Sequence, residues 1–181
     1  DHIDICFEDG TILRYCDPRR FGCFLWSKNI ETHFLLKNLG PEPLGNSFSG
    51  DYLFYKSRKR KVPIKNFIMN SKVVVGVGNI YASEALFSAG IKPSCMAGKV
   101  PRKKYDLLAK EIVHILRKSI EEGGTTLRDF VSGDSKPGYF KQSLRVYGRE
   151  GEECYECFSI IKGKRIGQRA SAYCPKCQSI F

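Results

Sequence analysis

Two pairs of cysteines near the end of the chain constrain its fold more than any other feature. Cys154 and Cys157 form one Cys-x-x-Cys pair, Cys174 and Cys177 form a second, and sixteen residues separate the two pairs. The two-residue gap lets each pair direct two thiolates at one ion, and four thiolates fill the tetrahedral shell of Zn²⁺. The spacing therefore predicts one structural zinc ion. The alternative is a disulfide framework, which needs an oxidising compartment, and the sequence shows no secretory signal segment.

The segment between the cysteine pairs, SIIKGKRIGQRASAY, has the pattern of a β-hairpin. Its turn is expected near Gly167, Gln168 and Arg169. A metal-braced hairpin with an arginine at its tip suits contact with a groove of DNA. On this segment alone, an arginine that simply faces solvent is the alternative.

The uneven charge of the chain favours a polyanionic partner. Residues 1–50 contain five Lys and Arg against seven Asp and Glu, whereas residues 51–181 contain twenty-five against twelve. The net charge of +11 favours nucleic acid over a membrane surface, although a solvated basic surface has the same composition. The sequence contains no run of about eighteen apolar residues, and it therefore predicts no membrane-spanning helix.

The beginning of the chain predicts strands. Residues 2–26 have the pattern of a β-meander: a first strand, a turn at Gly10, a second strand through Ile12, and a third strand, CFLW, at residues 23–26. Such strands need a facing layer, and no later segment supplies one. The sheet is therefore predicted to be part of a larger one.

Helical patterns dominate the middle of the chain. Residues 39–50, rich in Gly, Pro and Ser, predict a linker between domains. Helices are expected at 51–60, from Pro63 onward, and most clearly at 102–121, where Gly123-Gly124 stops the helix. The apolar residues on one face of this last helix are Tyr105, Leu108, Ile112, Ile115 and Leu116.

The stretch VVVGVGNIYASEALFSAG, residues 73–90, poses a choice between two phosphate-binding structures. A dinucleotide-binding loop needs a third glycine, where this chain has Ala82, and an acidic residue about twenty positions further on, where it has none. Asn79 instead suits the N-cap of a helix, whose free amides and positive dipole favour a phosphate oxygen. Together with Lys65 upstream, it predicts a clamp on a phosphodiester.

Seven motifs, in this order, closely resemble the bacterial formamidopyrimidine-DNA glycosylase family along essentially the whole chain. They are DPRRFG, LGPEPL, VVVGVGNIYASEALFSAGI, GGTTLRDF, KPGYF, VYGREGEEC and the terminal Cys-x-x-Cys pairs. The resemblance implies an α+β chain: partial β-sandwich strands, then a helix–two-turn–helix domain, then a four-cysteine β-hairpin zinc finger. The implied division is residues 1–38 for the catalytic sandwich, 39–50 for the linker, 51–150 for the DNA-binding domain with a lesion-recognition loop at 132–140, and 151–181 for the zinc finger. In this reading VVVGVG is a connecting loop.

The resemblance also implies roles for particular residues. Arg19 fills the space left by the flipped nucleotide and contacts the orphan cytosine, while Phe21 wedges between base pairs, which partly recovers the cost of extruding a base. Arg169 grips phosphates beside the lesion and is linked in the family to δ-elimination; a guanidinium with a pKa above about 12 favours the gripping role. The remaining DNA-binding residues implied are Arg60, Lys61, Lys65, Asn79, Lys136 and Tyr139.

The implied function is base-excision repair of oxidised purines, 8-oxoguanine and formamidopyrimidines, in duplex DNA, with strand cleavage by β,δ-elimination. The family's nucleophile is the amine of an N-terminal proline followed by glutamate, assisted by a lysine, whereas this chain begins with Asp1-His2. We therefore expect a fragment that binds damaged double-stranded DNA as a monomer in the bacterial cytoplasm, without cutting it. The alternatives are an endonuclease VIII-type glycosylase for oxidised pyrimidines, a non-catalytic module that binds damaged or abasic DNA, and a generic zinc-ribbon protein.

Overall fold

The computed structural model describes residues 2–17, 20–124 and 143–181. The chain divides into two compact units, Asp1–Lys37 and Asn38–Phe181. Residues 39–50 fall in the second unit, and their role as a linker stays a prediction. None of the helices in the described ranges combines the length and apolar character needed to cross a membrane.

The first unit contains a β-hairpin. Strand β1, Ile3–Cys6, pairs antiparallel with β2, Ile12–Tyr15. Asp4 and Arg14 face each other across the strands and form an ion pair at 2.8 Å. This hairpin confirms the first two strands of the predicted meander.

The prediction of a third strand at residues 23–26 was wrong. Residues 20–27 form neither strand nor helix, and Phe24 and Trp26 are 52% and 79% exposed. A strand is stabilised by hydrogen bonds to a neighbour and by burial of alternate side chains. Within the described part of the chain, residues 23–26 pair with no strand and their side chains are exposed. The expectation of a larger sheet stays a prediction.

The second unit consists of four helices followed by a second hairpin. Their bounds are α1 Gly50–Ser57, α2 Ile64–Ile68, α3 Asn79–Ser88 and α4 Arg102–Glu121, with a 3₁₀ turn at Ala97–Lys99 before α4. Strands β3, Lys162–Ile166, and β4, Arg169–Tyr173, pair antiparallel and confirm the predicted hairpin between the cysteine pairs.

Helix α4 is the centre of the second unit and packs against both α1 and α3. Tyr105, Leu108 and Ile112 on its predicted apolar face are at most 1% exposed. Gly123 and Gly124 follow with positive φ, and their amides donate to carbonyl groups of the last helical turn. Both ends of this helix lie where the sequence predicts them.

The residues VVVGVG form a loop, as the resemblance implied. Val73, Val74 and Val77 are buried in the helical core, and the carbonyl of Val73 accepts a hydrogen bond from the Tyr52 hydroxyl at 2.9 Å. Gly76 has φ +76°, a conformation that favours glycine. Burial among helices therefore overrides the strand propensity of the valines.

A smaller core connects the helices to the zinc finger. It contains Val146, Ile161 and Ala172 together with Cys154 and Cys174. Phe87 of α3 packs into the same core. The hairpin is therefore attached to α3 by apolar contacts.

Candidate nucleic-acid interface

Helix α3 presents its N-terminus beside two glycines. Gly78 is the N-cap, in an extended conformation, and Asn79 is the first helical residue. The prediction of Asn79 as the N-cap was therefore wrong by one position, because Gly78 already supplies the carbonyl that accepts from Ala82 at 2.9 Å. A Cβ at Gly76 or Gly78 would meet nothing within 4 Å, so the approach to this helix end is open.

The side chain of Asn79 is partly buried. Its Oδ1 is buried and has no hydrogen-bond partner in the described part of the chain. The Nδ2 group and the main-chain amides of the first helical turn are the donors available here, because those amides lack acceptors within the helix. This arrangement suits an anion such as a phosphate oxygen.

Lys65, in the first turn of α2, is fully buried. Its Nζ donates to the carbonyl of Ala170 at 3.1 Å and to the hydroxyl of Ser171 at 2.8 Å, both in β4. Burial, together with the smaller effect of the positive charge of Arg169, lowers the pKa of Lys65 to about 8. Lys65 and Arg169, predicted from distant parts of the sequence, are therefore neighbours.

The tip of the zinc-finger hairpin rests on α2. Gly167 and Gln168, with φ +53° and +66°, form a tight two-residue turn, and Arg169 follows as the first residue of β4, paired with Ile166 and exposed. A Cβ on Gly167 would overlap the carboxamide of Asn66. The arginine is thus presented to solvent from a hairpin tip whose position is fixed by α2.

The four predicted metal ligands form one cluster. The Sγ atoms of Cys154, Cys157, Cys174 and Cys177 all lie within 4.8 Å of one another, with the Cys154–Cys177 and Cys157–Cys174 pairs at 3.9 Å and 3.4 Å. These separations exceed the S–S bond length of about 2.05 Å, and the cysteines are free. The two Sγ–Sγ distances lie on either side of the roughly 3.8 Å that is expected between two thiolates on a tetrahedral ion with metal–sulfur bonds of about 2.3 Å.

The thiols of this cluster differ in acidity. Hydrogen bonds from Ser159 lower the pKa of Cys157 to about 6, whereas burial raises the pKa of Cys174 and Cys177. A metal ion displaces the remaining protons when it binds, because the thiolate is the ligand. The cluster could therefore hold a metal ion of the zinc type.

Sequence reasoning missed Glu84, which connects α3 to residues 145–147, the segment just before the zinc finger. This carboxylate is 3% exposed. It accepts main-chain hydrogen bonds from Arg145 at 2.8 Å, Val146 at 3.0 Å and Tyr147 at 2.8 Å. An acidic residue inside the apolar run of α3 was the available signal, because a buried carboxylate needs several donors.

The remaining predicted DNA-binding residues divide into two groups. Arg60 and Lys61 follow α1 and are exposed, and Phe21, in the first unit, is 84% exposed. Arg19, Lys136 and Tyr139 lie outside the described residues.

Comparison with known proteins identifies a matching family model and similar relatives. Residues 39–131 match the family model of the formamidopyrimidine-DNA glycosylase H2TH domain. A formamidopyrimidine-DNA glycosylase of Glaesserella parasuis is 58% identical over 180 residues, which are 99% of this chain and 66% of the relative. One of Stutzerimonas stutzeri is 59% identical over 178 residues, 98% of this chain and 66% of the relative. The chain thus spans about 66% of the length of the curated relatives it matches.

Two solved structures are also similar. The MutM (Fpg) protein of Thermus thermophilus superimposes with a TM-score of 0.88 at 33% identity, covering 98% of this chain and 68% of that one. The Lactococcus lactis Fpg in complex with DNA containing an abasic site gives a TM-score of 0.74 at 34% identity, covering 81% of this chain and 54% of that one.

Proposed function

The chain belongs to the formamidopyrimidine-DNA glycosylase family, and from this premise we propose that it is the DNA-binding part of a base-excision repair enzyme. The full protein excises oxidised purines, 8-oxoguanine and formamidopyrimidines, from duplex DNA and cleaves the strand by β,δ-elimination. It works as a monomer in the bacterial cytoplasm.

One observation carries this proposal: the tip of the Arg169 hairpin is seated on α2, next to the helix that begins at Asn79. Helix α3 packs against both α2 and β4, and we propose that its N-terminal end and Arg169 form one surface. Donors at a helix N-terminus and an exposed guanidinium both favour phosphate oxygens. The Lactococcus lactis relative, bound to abasic-site DNA, supports the same use here.

The individual roles follow from this surface. Asn79 and the amides of the first turn of α3 bind a phosphate beside the lesion, and Arg169 grips the flanking phosphates. Arg60 and Lys61 add further contacts to the DNA backbone. We propose that Arg19 and Phe21 fill the gap left by the extruded nucleotide, and that the loop carrying Lys136 and Tyr139 covers the extruded base.

The four-cysteine cluster binds one Zn²⁺ in this proposal. With four protein ligands the ion is structural, and its binding energy holds the hairpin in shape. Arg169 acts on DNA only when the hairpin is folded. Zinc therefore affects DNA binding indirectly.

The proposal is tested by DNA binding at several salt concentrations. A fluorescent duplex with a tetrahydrofuran abasic analogue should bind with an affinity that falls steeply as salt rises, because phosphate contacts release counterions. Replacing Arg169 with alanine should reduce the slope of log K against log salt by about 0.9, the value of one phosphate contact. Arg117→Ala, which removes an exposed arginine of α4 that lines a groove with Phe48 and Gly50, is the matched control. Binding that is independent of salt would refute the phosphate assignment.

Borohydride trapping on an abasic duplex separates the enzyme from a module that only binds. A covalent adduct forms when an amine attacks the sugar C1′ and the resulting Schiff base is reduced. We expect no adduct from these 181 residues, which lack the family's proline, and an adduct from a protein that includes that residue. An adduct from the 181-residue chain would mean that one of its own lysines is the nucleophile.

A further inference from the structure

We propose that Lys65 is a positioning residue for Arg169: its ammonium fixes the first residues of β4 and so directs the guanidinium toward the phosphate site. This proposal rests on the proposed function, since it concerns the same surface. It differs from a direct contact of Lys65 with DNA, which the sequence alone predicts.

The contacts of Lys65 are with the protein. The side chain is fully buried, and two of the three Nζ donors are used by Ala170 and Ser171. These are the two residues that follow Arg169 in β4. A change at Lys65 is therefore transmitted directly to the strand that carries the arginine.

The neighbouring residue of α2 fixes the other side of the turn. The carboxamide of Asn66 lies against Gly167 so closely that a Cβ there would overlap it. Lys65 thus holds β4 just after Arg169, and Asn66 contacts the hairpin two residues before it. Two adjacent residues of α2 determine where the hairpin tip lies.

Two positive charges, the ammonium of Lys65 and the guanidinium of Arg169, lie close together at the hairpin tip. Burial of the Lys65 ammonium and, to a smaller extent, the nearby guanidinium of Arg169 disfavour its charge and lower its pKa. An apolar side chain would pack under the hairpin without this repulsion. A phosphate bound by Arg169 offsets the repulsion, so the cation pair suits a surface that holds an anion.

The test combines hydrogen exchange and a double-mutant cycle in the zinc-loaded 181-residue chain. Lys65→Met removes the ammonium and keeps an unbranched apolar chain, and Ser171→Ala removes one acceptor without changing charge. Lys110→Met is the control, because Lys110 is an exposed lysine of α4 and the substitution is the same. The amides of β4 are followed by hydrogen exchange without DNA, and affinity for the abasic-analogue duplex is measured by anisotropy.

A positioning role predicts faster exchange of the β4 amides in Lys65→Met, and to a smaller extent in Ser171→Ala, with no change in Lys110→Met. It also predicts that Lys65→Met weakens binding about tenfold, the value of one charge-assisted hydrogen bond, but has no further effect in the Arg169→Ala background. The slope of log K against log salt in the double variant Lys65→Met/Arg169→Ala should be smaller than in the parent chain by about 0.9, the value of one phosphate contact. Two independent contacts would reduce it by about 1.8.

Additive losses, a slope reduced by about 1.8, or unchanged exchange would each overturn the proposal. The exchange measurement needs no DNA. If the parent chain fails to bind the duplex, the proposed function fails, whereas unchanged exchange in Lys65→Met refutes the positioning role even when binding is intact.

Discussion

Replacing Glu84 with glutamine should detach the segment at residues 145–147 from α3. In the structure Oε1 of Glu84 accepts from Val146 and Tyr147, and Oε2 accepts from Arg145. Glutamine keeps one acceptor oxygen but places an NH₂ group where the other oxygen was. A donor then faces a main-chain donor in a site that is 3% exposed.

The expected loss of stability follows from these three bonds. Hydrogen bonds to a charged group contribute about 1.5–3 kcal/mol each, and an unsatisfied buried donor costs about 1–3 kcal/mol. Glutamine weakens two bonds and leaves one donor unpaired, so we expect Glu84→Gln to lower the free energy of unfolding by about 3 kcal/mol. Glu84→Ala leaves three donors unpaired and should cost more, about 3–9 kcal/mol at about 1–3 kcal/mol for each donor.

Urea unfolding of the zinc-loaded chain measures both losses, and hydrogen exchange locates them. The amides of residues 145–147 should exchange faster in Glu84→Gln than in the parent chain. Glu121→Gln, at an exposed position near the end of α4, is the matched control and should change stability by less than about 0.5 kcal/mol. A loss below about 1 kcal/mol in Glu84→Gln, with unchanged exchange, would refute the view that this carboxylate holds residues 145–147 against α3.

Three further predictions concern the proposed DNA-binding surface. Gly167→Ala should weaken binding to the abasic-analogue duplex, because the new Cβ overlaps Asn66 and the residue has φ +53°; anisotropy measures the loss, and unchanged affinity would contradict the seating of the hairpin tip. Affinity should fall as pH rises through about 8, because binding a phosphate favours the protonated form of Lys65, whose pKa is about 8 in the free protein; binding curves from pH 7 to pH 9 test this, and Lys65→Met should lose the dependence. Chelation of the metal should unfold the hairpin and weaken DNA binding; a chelated protein with full affinity would show that the zinc finger is not needed.

The pH prediction has a counterpart in stability, with the opposite sign. Because the folded-state pKa of Lys65 lies below its ordinary value of 10.5, the folded chain binds fewer protons than the unfolded chain between about pH 8 and pH 10.5. The contribution of this group to stability therefore increases as pH rises through that range. Lys65→Met should abolish this increase in urea unfolding measured at pH 8 and pH 10, and a parent chain without it would contradict the lowered pKa.

Local patterns in the sequence determined several elements by themselves. The bounds of α4 follow from apolar residues at helical spacing and from Gly123-Gly124, which can adopt positive φ where a helix ends. The clustering of the four cysteines follows from their spacing, because a two-residue gap brings both thiols of a pair to one side. These features depend on residues close together in the chain, and sequence reasoning found them.

Tertiary structure decided the rest. The partners of Lys65 lie 105 and 106 positions further along the chain, and those of Glu84 lie 61 to 63 positions further along. No spacing rule predicts partners at such separations. The valines of VVVGVG have strand propensity but lie in a loop, and residues 23–26 have it but form no strand, because a strand needs a neighbour that only the fold can supply. Local patterns fix helices, turns and ligand pairs, whereas the partners of buried charges depend on which elements pack together.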